Sequence, residues 1–167
     1  GFSSAWAKTI KWSMQGDSLT LDPHAQNEGP TTQVSRQVYE ALVQRGLDMK
    51  IGPALATEWR TQGPNTWIFT LREDVKFSDG TKMTSEDVVF SILRAKQRTS
   101  DFKEYISTVS DVRAVGDYKV EIITSKPNPI LLNQLSNIFI MSKAWSEKNF
   151  AMSPQNWDAG QETFSAT

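Results

Sequence analysis

Residues 75–91 read Val75-Lys76-Phe77-Ser78-Asp79-Gly80-Thr81-Lys82-Met83-Thr84-Ser85-Glu86-Asp87-Val88-Val89-Phe90-Ser91. The first part is an extended segment that closes on Asp79-Gly80, a dipeptide suited to a tight turn. The second part opens a helix predicted over 84–97. Thr84 suits the N-cap, and Asp87 three residues on completes a variant of the capping box. Glu86 and Asp87 place negative charge in the first turn, where the helix dipole favours it. Val88, Val89, Ile92 and Leu93 follow as an apolar stripe at helical spacing. The stretch therefore predicts strand, tight turn and capped helix. Glu86-Asp87 also has the composition of an acid/base pair, but a cap accounts for both carboxylates without an active site.

Upstream, Ile10, Trp12 and Met14 alternate with polar residues and predict a strand over 9–15. Residues 16–32 are a polar loop rich in Gly, Pro and Asn. Val34, Val38, Ala41 and Leu42 predict an amphipathic helix over 33–45, with Gly46 as its stop. Strands are expected near 55–60 and over 66–72, the second with Trp67, Phe69 and Leu71 on one face. Downstream come a less regular helical stretch near 101–107 and a hairpin of 112–115 with 118–122. Its Gly116-Asp117 suits a two-residue II′ turn. Pro127-Asn128-Pro129 breaks the chain before a short helix on Ile130, Leu131 and Leu135. A strand over 138–141 and a helix opening at Ser142 follow. Strands paired through tight turns, with helices between them, predict an α+β fold: a mainly antiparallel sheet with flanking helices.

Composition narrows the function classes. The chain has 167 residues, 38% of them apolar and 22% charged, which suits one domain, or a small domain with an appendage. A net charge of −1 leaves no electrostatic footprint for nucleic acid. No run of 18 apolar residues is present, so nothing in this stretch is read as spanning a membrane. The absence of cysteine removes disulfides, thiolate metal ligands and thiol nucleophiles together. His24 is the only histidine, which excludes a two-histidine metal site within one chain and leaves a serine triad without visible partners. Next to Asp22 and Pro23 it is read as a turn residue. No Gly-rich phosphate cradle is present. Trp12, Trp59 and Trp67 are read as core, and Trp145 and Trp157 sit in weakly patterned segments. Residues 1–7 carry small residues at Ala5 and Ala7, like the tail of a secretory signal peptide.

The order of elements in 75–91 resembles, nearly residue for residue, the core signature of the family 5 extracellular solute-binding proteins. Four further blocks carry the same resemblance in the same order: Ser18-Leu19-Thr20-Leu21-Asp22-Pro23-His24, Val38-Tyr39-Glu40-Ala41-Leu42-Val43, Ile51 to Trp59 with its Pro53 and Leu55-Ala56, and Thr66-Trp67-Ile68-Phe69-Thr70-Leu71-Arg72. Looser similarity runs from residue 9 to residue 150.

The resemblance implies a two-lobed periplasmic-binding-protein fold, type II and cluster C-like, of which this chain is the N-terminal part. Residues 1–39 would be the opening strand and helix of the first lobe, and 40–167 its extra α+β subdomain. The family's next motif would begin where the chain stops at Thr167, so the second lobe is expected to be absent from it. The implied function is the substrate-binding component of an ABC importer. It captures di- or oligopeptides as a monomer, without catalysis or cofactor, and delivers them to a membrane permease. The implied location is the periplasm, or the cell exterior on a lipid anchor where the host has one membrane. The loop 26–32 carries the site candidates. Glu28-Gly29 matches a segment whose backbone pairs with the ligand's main chain in oligopeptide-binding relatives. Asn27, Pro30 and Thr31 flank it, although Pro30 lacks an N–H donor. Tyr105 matches an aromatic residue that lines the peptide cleft. The same architecture also accommodates nickel chelates, haem or oligosaccharides. A reading from another class, a free-standing α+β interaction module, stays open beside it.

Overall fold

Phe69 is completely buried, and the sheet is built around the strand that carries it. A computed structural model describes residues 21–154. The strand expected over 9–15, the signal-like residues 1–7, Trp12 and Trp157 lie outside the described residues. Along the described chain run helix α1 (Gly29–Val38), strands β1 (Val43–Arg45), β2 (Ile51–Pro53), β3 (Ala56–Thr61) and β4 (Thr66–Leu71), and helix α2 (Ser85–Ala95). A 3-10 turn (Lys103–Ile106), strands β5 (Val109–Ala114) and β6 (Lys119–Thr124), and the short helices α3 (Leu131–Leu135) and α4 (Lys143–Lys148) follow.

Strands β3, β4, β6 and β5 form, in that order, one wholly antiparallel sheet. Trp67, Phe69 and Leu71 share the inner face of β4, where Phe69 stands between Trp59 of β3 and Val120 of β6. Helix α2 covers this face through Val88, Ile92 and Ala95, all fully buried. Ile106, Leu131 and Leu135 extend the same core. The α+β architecture expected from the hairpins and interleaved helices is the one observed.

The turn and the capped helix expected over 75–91 form, but the expected strand is reduced to an isolated bridge between Lys76 and Lys82. The Phe77 N–H donates to the Thr81 carbonyl and the Gly80 N–H to the Phe77 carbonyl, closing the turn. Gly80 sits at φ +85°, a conformation that favours glycine. The capping box forms, with the Thr84 N–H donating to the Asp87 carboxylate at 2.9 Å. The second Asp87 oxygen accepts the Lys143 N–H at 2.9 Å, so one carboxylate serves α2 and α4. The apolar stripe is rotated from its expected position: Leu93 is half-exposed, while Ser91 and Arg94 are buried.

Three further expectations are corrected. Helix α1 starts at Gly29 and ends at Val38, rather than covering 33–45. Pro30 in its first turn favours an early start, and Tyr39 turns extended so that Ala41 can bridge to Phe139 and Val43 can enter β1. Residues 138–141 form only that isolated bridge, supported by the Ile140 N–H on the Glu40 carbonyl. In the β5–β6 hairpin Ala114 pairs with Val120, and the Val115 N–H donates to the Lys119 carbonyl. The loop is therefore Gly116–Tyr118, one residue longer than a II′ turn allows. Its carbonyls are committed elsewhere: Gly116 accepts the Ser85 hydroxyl and Asp117 the Ser85 N–H.

Candidate functional site

The segment that leads into α1 is pinned at residues 21–24. The Asp22 carboxylate accepts the His24 N–H at 3.0 Å, closing a turn around Pro23 of the kind Asp favours. The Tyr39 hydroxyl donates to the Leu21 carbonyl at 2.9 Å, and the Asp101 N–H to the His24 carbonyl at 3.1 Å. Arg94 reaches the segment from α2. Its Nη1 lies 2.8 Å from Asp22 Oδ1 and 2.9 Å from His24 Nδ1, and its Nη2 2.6 Å from Asp22 Oδ2. Nε and Nη2 also donate to the carbonyls of Ala151 and Ser153. The five N–H donors of the guanidinium thus face five acceptors drawn from three residues' neighbourhoods: the 22–24 turn, Ala151 and Ser153.

His24 has no exposed surface. Its Nε2 lies 2.9 Å from the Phe139 carbonyl, so that nitrogen carries the proton and Nδ1 is the acceptor facing Arg94. Burial and, after it, the Arg94 charge lower its pKa from 6.5 to about 4, against a smaller opposing pull from Asp22. The ring is neutral at pH 7.

Glu28 is the N-cap residue of α1, with φ −127° and ψ 158°, and its carboxylate accepts the Thr31 hydroxyl at 2.6 Å. Gly29, Pro30 and Thr31 belong to the first turn of the helix rather than to a loop. Gly29 is exposed, Pro30 half-buried and Thr31 buried. Asn27 is exposed, and its side-chain amide lies 3.3 Å from the Tyr105 hydroxyl. The two candidates most distant in sequence are thus brought together. The Tyr105 ring is held against Phe102, with centroids 5.8 Å apart.

Two features escaped the sequence reading. Arg94 is a single charge next to the apolar stripe in sequence, and nothing near it in the chain points to Asp22. The other is a cleft of about 600 Å³ between the end of α1, the 76–82 turn and the start of α4. Its lining includes Tyr39, Phe77, Met83 and Trp145 together with Arg36, Glu40, Lys76 and Asp79, and none of the expected binding residues. Among the described residues no group of three or more His, Asp or Glu could hold a metal ion. No described helix is long and apolar enough to cross a membrane.

Residues 50–164 match the sequence profile of the "Bacterial extracellular solute-binding proteins, family 5 Middle". The chain belongs to this family. The periplasmic oligopeptide-binding protein OppA of Escherichia coli (strain K12) is 28% identical over 148 residues, which cover 77% of this chain and 27% of that protein. The solved structure of the Escherichia coli murein tripeptide binding protein MppA superposes with a TM-score of 0.75 and 28% identity, over 81% of this chain and 31% of that one. The binding protein AgaA from A. tumefacien R10, solved with agropinic acid, gives a TM-score of 0.76 and 29% identity, over 81% of this chain and 28% of that one. The chain therefore spans less than a third of the length of these relatives. Its sheet and helices are part of the periplasmic-binding-protein fold.

Proposed function

We propose that the chain is part of the solute-binding component of an ABC importer and that its solute is a peptide. The supporting observation is the likeness, over three quarters of the chain, to an oligopeptide-binding protein. The head of α1 fits this role. Glu28, at φ −127° and ψ 158°, is extended backbone of the kind that pairs with a ligand main chain, and the exposed Asn27 amide stands beside the Tyr105 hydroxyl. In this reading 1–39 opens the first lobe, 40–167 is its extra subdomain, and a second lobe closes over the solute. The protein works as a monomer without turnover, in the periplasm or on a lipid anchor outside the cell, and hands its solute to a membrane permease. Asn27, Glu28, Gly29 and Tyr105 face the solute. Pro30 and Thr31 shape the turn behind them, Thr31 by orienting the Glu28 carboxylate.

Native mass spectrometry of the protein purified without denaturation tests this. Co-purified masses that fragment as short peptides are expected. A small non-peptide solute is the second reading, favoured by the likeness to AgaA in its complex with agropinic acid. Bound masses without peptide fragmentation would replace the first reading with it.

A further inference from the structure

We propose that Arg94, Asp22 and His24 form an acid-sensitive clasp that positions the segment Asn27–Thr31, so that protonating His24 loosens the segment and weakens solute binding. The functional half rests on the peptide-site reading above; the clasp itself rests on geometry alone.

His24 stands three residues before Asn27, at the end of the pinned stretch. Past it, among the described residues, the segment is held by its own Thr31–Glu28 hydrogen bond at 2.6 Å and by the Asn27 amide 3.3 Å from the Tyr105 hydroxyl, while Gln26 Oε1 and Thr32 Oγ1 are buried with no partner there. The end by which the segment enters α1 is fixed by what holds residues 21–24, to which it is directly joined. At the centre of that stretch is a guanidinium with no spare donor and an imidazole with one protonation site left. That site is Nδ1, because Nε2 already gives its proton to Phe139.

A proton on Nδ1 turns an acceptor into a donor 2.9 Å from Arg94 Nη1, and it sets two cations against each other inside the fold. Among the described residues, the charged groups against the ring are Arg94 from α2 and Asp22 from its own segment. The 138–141 stretch offers only the Phe139 carbonyl, and the loop after α2 binds the His24 carbonyl through the Asp101 amide. Asp22 cannot absorb the new charge by turning towards the ring, because both its oxygens already receive Arg94. Opening the segment lets the imidazolium reach water. The same burial and the same Arg94 charge lower the His24 pKa.

The test is hydrogen exchange of the full chain without solute at pH 7.5 and 4.5, corrected for intrinsic chemistry, with 88–95 of α2 as internal reference. Opening of 22–31 is expected to rise on the order of 50-fold in the wild type. In His24→Asn, whose side-chain oxygen keeps an acceptor towards Arg94 but cannot titrate, it should change by less than about threefold. Trialanine affinity, measured by calorimetry, should fall in parallel in the wild type only. Equal pH responses in the two proteins would overturn the clasp. If the variant does not fold, the single histidine still reports: an imidazole resonance titrating near 6.5 in the native protein would also overturn it. Opening that follows pH, in protein whose co-purified masses do not fragment as peptides in native mass spectrometry, would keep the clasp and remove the peptide reading.

Discussion

Arg94 grips the Asp22 carboxylate through both terminal nitrogens, at 2.8 and 2.6 Å, with the two side chains 0% and 1% exposed. Such a pair gains little over an apolar replacement, since both ions give up their hydration, but half of it is costly to keep. Asp22→Ala leaves a buried guanidinium facing nothing on one side. It should cost about 3–5 kcal/mol, read as a lowered urea midpoint at unchanged slope. A loss below about 1 kcal/mol would show that water reaches Arg94.

The pH dependence of stability follows from His24. Its pKa is about 4 in the folded chain against the ordinary 6.5 once unfolded, so the unfolded chain binds more protons between those values. The contribution of the neutral ring is complete above about pH 6.5, declines as the pH falls, and is lost by about pH 4. The total is about 3 kcal/mol. Urea unfolding at pH 7.5, 5.5 and 4 should show this decline in the wild type and a shallower one in His24→Asn. Parallel curves would mean that other acids set the slope.

Asp87 joins two helices through one carboxylate. Asp87→Ala releases the Thr84 N–H at the start of α2 and the Lys143 N–H at the start of α4. Loss of a cap costs about 1 kcal/mol, and an orphaned amide adds to it, so about 2 kcal/mol is expected. Exchange protection should drop at 143–148 as well as at 85–88. An effect confined to α2 would contradict the shared role.

Met49, at the tip of the β1–β2 hairpin, is exposed and holds φ at +64°. A side chain there carries a steric cost that glycine does not. Met49→Gly should raise the thermal midpoint, with a gain of about 1 kcal/mol at most. A lowered midpoint would reveal a contact made by the Met49 side chain.

What the sequence disclosed and what it hid divide by distance along the chain. Thr84 and Asp87 are three residues apart, and Asp79-Gly80 needs no partner beyond its own turn, so both were legible. The sheet face of Trp67, Phe69 and Leu71 was legible for the same reason. The spacing of Val38, Ala41 and Leu42 looked helical, but Ala41 answers to Phe139, almost a hundred residues later, and that pairing overrode the local period. Glu28 and Tyr105 were candidates through resemblance. Nothing local could reveal that the Tyr105 hydroxyl meets Asn27, or that Arg94 spans from Asp22 to Ser153. His24 was correctly placed in a turn, yet its burial depends on Arg94 and Phe139, neither of which is near it in sequence.

The Gly116–Tyr118 loop closes more than a hairpin. Ser85, the first residue of α2, gives its hydroxyl and its N–H to the Gly116 and Asp117 carbonyls, 31 and 32 residues further along. During synthesis the helix is complete well before these acceptors exist. At the ordinary pace of about 5–20 residues per second, its leading end waits about 2–6 seconds for them. The start of α2 is thus finished only by residues that reach the nascent chain with the β5–β6 hairpin.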